Sequence, residues 1–403
     1  MFEALRSWSF SAKLISILFY LEILILSTFI HFLKPLPYSD FIYYWHSGFE
    51  LTTDSKGGWL PFYHKLVQLN GIYPWDSAVI LGVLIATPIA ICIFYYKNMN
   101  IIQAAIILST PLLIIGNFGQ TGTDVPAILL LILCIFLVID KSSKSFSRCL
   151  LISILVAATV SLRPIYFIIF ASLFLHSLIV EKNVTLRNLY LIGIAFGIFL
   201  IILQGYKNMY AVTVAKPEKT LNLVVIFGTS VNTCGYWFED HGEVYLSTYN
   251  QSPLKIAYSR VMDNGIDGIK LLHCKINNFI FGHTFGGWVF NDDLKYKSGN
   301  ESVDKMYNYF VSVKYDGLVI DQSLIYIYKI IYYLSVVLFK IFFYIFLLNL
   351  LRFHAVSFII ISFPIMVHLM FLEIQERYFL PYYLLISYAS FFGSNFYSRL
   401  GFK

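Results

Sequence analysis

Leu14–Phe32 reads LISILFYLEILILSTFIHF, nineteen residues among which Glu22 carries the single formal charge. As a helix the run is about 28 Å long, close to the ~30 Å hydrocarbon core of a bilayer. A second run, Ala78–Tyr96 (AVILGVLIATPIAICIFYY), has no charge at all. One soluble core cannot bury such runs end to end, so membrane helices are the expectation. The rest of the chain agrees: 58% of its 403 residues are hydrophobic and 13% charged, where soluble domains carry about 25% charged residues. Apolar runs recur at 101–115, 124–139, 149–162, 165–180, 189–204, 324–350, 355–372 and 378–393. The expected fold class is an all-α polytopic membrane protein with about ten transmembrane helices, several shorter than ideal and the eighth long.

Charge sets the expected direction of these helices. The formal net charge is +6, but Lys and Arg fall in short connections rather than on one basic stripe, which argues against a nucleic-acid partner. With a cytoplasmic N-terminus, the inner segments hold Arg6, Lys13, Lys97, Lys141, Lys144, Arg148, Lys182, Arg187, Arg352, Arg399 and Lys403, as the positive-inside rule requires. The first run is full length with no small-residue cleavage site after it, so it reads as a retained anchor. Segments 33–77, 116–123, 205–323 and 373–377 then face outward. The chain divides into an N-terminal membrane module (1–204), an external loop domain (205–323) and a C-terminal membrane module (324–403). Segment 205–323 alone has the mixed composition of a soluble protein, with a helix-like piece at Ile266–Phe281. Ile, Lys, Asn and Tyr usage suggests a bacterial source, and hence an inner membrane with the outward segments in the periplasm. Cys92, Cys134 and Cys149 lie in or beside apolar runs and read as small buried hydrophobes. Cys234 and Cys274 lie in the polar segment, where an oxidising compartment would allow them to pair.

Four places combine polar chemistry with the membrane boundary. In PYSDFIYYWHSGFEL (37–51), Asp40, Tyr43, Tyr44 and Ser47 recur at helical spacing, so one face would hold a carboxylate against aromatic rings. Partial desolvation raises such an acid's pKa and suits it to accept a proton, while Tyr43, Tyr44 and Trp45 can stack on a sugar; an interfacial aromatic belt around a solvated Asp fits the same residues. In GNFGQTGTDVPA (116–127), Thr123 or Asp124 can cap a helix whose first turn holds Pro126. Gln120 and Asp124 can bond sugar hydroxyls, or serve the turn and cap alone. In SLRPIYF (161–167), Arg163 can clamp a phosphate or snorkel to the interface. In LEIQERYFLPYY (372–383), Arg377 can hold a lipid phosphate with Glu376 orienting it, or both can simply mark the membrane boundary.

Other chemistries lack their motifs: GxSxG, the P-loop, HExxH and CxxC are absent, and no His pair has metal-ligand spacing, so no metal or cofactor is assigned. In order and character the four places resemble the GT-C superfamily of membrane glycosyltransferases, which use polyprenyl-phosphate sugars. Asp40 in SDFIYYW matches the acidic residue of that family's first external loop. GNFGQTGTD resembles its GQ-type turn, ERYFLP (376–381) its ERY-x-x-P-like turn, and Arg163 before Pro164 its basic residue after a mid-chain span. The chain differs in having one acidic residue rather than an Asp-Glu pair in the first loop, and Gln375 where many members have His.

The resemblance implies an inverting glycosyltransferase with a polyprenyl-phosphate sugar as donor, a lipid-linked or surface glycan as acceptor, and membrane lipid around it. Asp40 would be the catalytic base, and Arg163 and Arg377 the donor-phosphate ligands. Tyr43, Tyr44, Trp45, Gln120, Asp124 and Glu376 would line the sugar and acceptor site. An O-antigen polymerase shares many spans, a large external loop and essential arginines. A lipid or polysaccharide transporter would instead need broken helices and polar residues near the bilayer midplane.

Overall fold

The computed structural model describes residues 9–36, 42, 45–46, 71–96, 98–115, 124–139, 146–163, 165–179, 193–194, 196–198, 200–201, 217–236, 251–282, 297, 299, 301–315, 322–353, 355–372 and 378–392. Among them the architecture is all-α, apart from a short antiparallel ribbon of β1 (Ser9–Ser11) and β2 (Asn98–Asn100). The apolar runs form α1 (Ala12–Leu33), α2 (Pro74–Phe94), α3 (Ile101–Ile115), α4 (Asp124–Ile139), α5 (Phe146–Leu162), α6 (Tyr166–Ile179), α11 (Gln322–Phe353), α12 (Ala355–Phe371) and α13 (Leu380–Phe392). Between them come α7 (Pro217–Gly228), α8 (Pro253–Asn264), α9 (Asp267–Phe281) and α10 (Glu301–Tyr315). The run at 189–204 lies largely outside the described residues. Three stretches, Ala12–Leu33, Pro74–Phe94 and Ser323–Arg352, are long and apolar enough to cross a membrane, and several shorter apolar helices accompany them.

The first of these shows why water is not its natural neighbour. α1 buries Ile15, Phe19, Ile23, Leu26 and Ile30 against the bundle, yet Ile17, Leu18, Leu21, Leu24 and Ile25 on its other side are exposed. A helix that is apolar all round with half its surface uncovered suits hydrocarbon. Its polar groups obey the same logic. Hydroxyls inside the apolar helices bond back to the carbonyl four residues earlier: Thr87 to Val83, Ser109 to Ala105, Thr110 to Ile106, Ser153 to Cys149, Thr159 to Leu155. Others tie helices together. Ser16 donates to Ala90 O at 2.6 Å, joining α1 to α2, His176 meets Ser357 at 3.1 Å, joining α6 to α12, and His368 meets Tyr382 at 2.9 Å, joining α12 to α13. In a medium without water each such pair removes a desolvation cost of several kcal/mol, roughly.

Chain reversals are marked by caps. Asn100 and Gln103 exchange backbone-to-side-chain bonds of 3.0 and 2.9 Å at the start of α3, a reciprocal box that satisfies two free N–H groups. Arg148 reaches back from α5 to the Leu137 carbonyl in the last turn of α4.

Helices of the polar segment do not stand apart from this bundle. Phe279 of α9 and Val303, Tyr307 and Phe310 of α10 belong to the same buried cluster as the apolar helices. A smaller cluster joins Val225, Ile226 and Phe227 of α7 with Ile256 and Ala257 of α8 and with Leu372. Gly228 makes that joint possible, because a Cβ there would run into the Leu372 and Phe371 backbone. Backbone has little room to yield, so Gly228→Ala should cost about 1–3 kcal/mol of stability, read as a lowered unfolding midpoint in detergent. An unchanged midpoint would mean that the α7–α12 contact opens without penalty.

Candidate functional site

Polar side chains at the helix ends meet in pairs. His31 near the end of α1 meets Asp76 at the start of α2. Elsewhere the start of α4, the end of α5 and the start of α13 meet through Asp124, Arg163 and Tyr378. In the sequence, Gln120 and Arg377 belong to the stretches that lead into α4 and α13, and Asp40 to the stretch between α1 and α2. Asp40, Tyr43, Tyr44, Gln120, Glu376 and Arg377 lie outside the described residues. Trp45, Asp124, Arg163, Cys234 and Cys274 lie within them.

Asp124 and Arg163, which belong to separate motifs of the sequence, form one ion pair. Arg163 Nη2 stands 2.7 Å from the Asp124 carboxylate, and the two side chains are 16% and 7% exposed. Asp124 is the first residue of α4, where free N–H groups and the helix dipole favour a negative charge. Arg163 follows the last turn of α5, and its backbone N–H continues that helix onto Thr159 O. The Tyr378 ring covers the guanidinium, 5.4 Å from its carbon, and Tyr166 is buried within electrostatic reach of both charges. The pair therefore fixes the guanidinium plane between a carboxylate and an aromatic face, at the point where α4, α5, α6 and α13 begin or end.

A second group lies on the first two helices. His31 Nδ1 and Asp76 Oδ1 are 2.6 Å apart. Tyr73 stacks on Trp75 and hydrogen-bonds to Tyr309 of α10, a bond that raises its pKa above the usual phenol value. Trp45, a predicted stacking residue, is buried instead, with its ring against Phe310, which also packs on Trp75. α10 thus rests on the helix ends that bracket the Asp40 connection. Nothing in the sequence singles out this group, because Asp76 reads as an ordinary first-turn acid behind Pro74. Glu22, which has no nameable partner in the sequence, lies within electrostatic reach of Tyr328 on α11.

The third group joins α9 to the end of α12. Cys234 and Cys274 form a disulfide. The next residue, Lys275, is fully buried, and its Nζ donates to Leu372 O at 2.9 Å. Gly235 turns over the lysine with φ +80°, and a Cβ there would collide with Lys275 Cε. Arg260 and Asn264 of α8 bond Thr229 from the other side. Burial pushes the Lys275 ammonium down to about 7. No signal in the sequence marks it, since a lysine in a mixed polar helix is ordinarily solvated. Among the described residues no three His, Cys, Asp or Glu side chains gather where a metal ion would sit.

Two outcomes follow from these geometries. Asp124→Leu leaves Arg163 charged in a largely water-free place, and should cost about 3 kcal/mol, whereas adding Arg163→Met should restore most of it; a double-mutant cycle in denaturant unfolding measures the difference. For Lys275 the folded pKa lies below the unfolded value of about 10.4, so between pH 7 and 10 the unfolded chain binds more protons and stability rises with pH. Below pH 7 both states hold the proton and that gain is absent. The parent should therefore gain up to about 1.4 kcal/mol per pH unit over this window relative to Lys275→Met. Parallel stability curves for the two proteins would show that Lys275 keeps its proton when buried.

No protein-family model, curated protein or solved structure matches the chain, so its functional reading rests on its own residues.

Proposed function

We propose that this chain is an inverting membrane glycosyltransferase that moves a sugar from a polyprenyl-phosphate donor to a lipid-linked or surface glycan acceptor. One observation supports the reading above others. Within an apolar bundle, the Asp124–Arg163–Tyr378 group stands where α4 and α13 begin and α5 ends, next in sequence to the stretches that hold Gln120 and Arg377. A lipid-borne phosphate sugar needs that arrangement: a hydrocarbon-compatible body for the prenyl chain, and cations, acids and aromatics at one membrane face for the polar head. With the basic connections in the cytoplasm, this face is the periplasmic side of a bacterial inner membrane.

In the reaction, Asp40 takes the proton of the acceptor hydroxyl as its oxygen bonds to the anomeric carbon. The bond from that carbon to the phosphate oxygen breaks on the opposite face, the configuration inverts, and the prenyl phosphate leaves as a dianion. Arg163 and Arg377 stabilise the charge that grows on the phosphate, in a site whose low dielectric strengthens each contact. Asp124 acts through Arg163 by fixing the direction of its guanidinium. Tyr43, Tyr44, Gln120 and Glu376 hold the sugar and the acceptor.

Purified protein incubated with a panel of polyprenyl-phosphate sugars should consume one donor, and Asp40→Asn at normal abundance should lower that rate by roughly 10²-fold or more. An Asp40→Asn variant as fast as its parent would remove the base assignment. Consumption of no donor at all would turn the reading toward a transporter.

A further inference from the structure

The geometry points to α8 and α9 as a membrane-interface element, an amphipathic helix pair whose apolar side lies in the boundary between lipid headgroups and acyl chains. The inference needs a membrane around the long apolar helices but does not depend on the proposed chemistry.

Three faces of α8 are distinct. One is buried, with Ile256 and Ala257 against α7 and Leu372, and Arg260 and Asn264 bonded to Thr229. The second, Lys255, Ser259 and Asp263, is polar and exposed. The third carries Leu254, Tyr258, Val261 and Met262, spaced as i, i+4, i+7 and i+8 and therefore on one side of the helix. In a solvated helix this side would be polar, yet Leu254 is 83% exposed and Met262 62%. α9 repeats the pattern. Leu271, Lys275 and Phe279 face inward, while Ile269 is 70% exposed and Ile266, between the two helices, 81%. A contiguous set of large exposed apolar side chains on the most polar segment of the chain marks a surface that meets something other than water.

The occupant is a bilayer rather than another protein because of where the pair is fixed. Lys275 bonds the carbonyl of Leu372, the residue just after α12, the disulfide locks α9 to the turn after α7, and Gly228 presses α7 on the same residue. α12 itself exposes Val356, Ile359, Phe363, Met366 and Met370 along its length, a stripe that suits acyl chains. The pair is thus held at the end of an apolar helix that presents its own uncovered apolar surface, where hydrocarbon gives way to headgroups. Lys255, beside the apolar side of α8, and Lys270, on α9, are long enough to carry their ammonium groups outward while their stems lie along it, and Tyr258 has the apolar body and polar tip of an interfacial residue.

The test uses the full-length protein in phosphatidylcholine nanodiscs, with Cys92, Cys134 and Cys149 replaced by Ala and a solvent-sensitive fluorophore placed by Met262→Cys, Ile269→Cys, Ser259→Cys or Asp263→Cys. Positions 259, 262, 263 and 269 are exposed, so a labelled cysteine there leaves the packing intact. Nitroxides carried on the upper acyl chain should quench the probes at positions 262 and 269 at least about twofold more than those at 259 and 263. A water-soluble nitroxide should show the reverse order. Probes at 262 and 269 that ignore the lipid nitroxides, whether because water reaches them or because another protein molecule covers them, would overturn the inference.

Discussion

Everything in this molecule follows from the cost of leaving a polar group unsatisfied where there is no water. Along the apolar helices that cost is met locally: hydroxyls return to the carbonyl four residues back, and the few ring nitrogens and phenols reach across to a neighbouring helix. These bonds let helices with several Ser, Thr and His residues pack as tightly as purely aliphatic ones. They also restrict where chemistry can sit. Apart from Glu22 in α1 and Lys329 and Lys340 in α11, the charged side chains of the apolar helices stand toward the helix ends.

The Asp124–Arg163 pair illustrates the compromise. A charge in such a place is tolerated because its counter-charge is supplied by a different helix, and because a helix N-terminus and a tyrosine ring each stabilise one member. The same arrangement gives the guanidinium a fixed direction. Under the proposed function, a phosphate ligand would meet a donor already ordered in folding.

Segment 205–323 shows how composition and surface can differ. Its mixed residues suggest a soluble domain, yet α9 and α10 insert aromatic side chains into the common core, and α7 and α8 build a satellite on Leu372. A buried lysine, a disulfide and two close-packed glycines hold this joint. The polar residues of α8 and α9 cover one side of each helix and leave the other apolar, so average composition conceals a surface with two characters.

Local information is legible in the residues themselves. Apolar length marks the described apolar helices within a few residues but not α7, α8 or α10, and Asp124 declares a helix start, because these properties depend on neighbours a turn or two away. The β1–β2 ribbon is not legible in this way, since three residues with one apolar side chain carry no strand signal without their partner. Nor is the burial of Lys275, or of Trp45 against Phe310. The order of residues is enough to specify an all-helical, hydrocarbon-compatible chain with polar groups at its reversals. It takes the packed fold to bring Arg163 to Asp124 across 39 residues and Lys275 to Leu372 across 97, because such pairings are chosen by the packing of distant helices and leave no trace in the residues beside them.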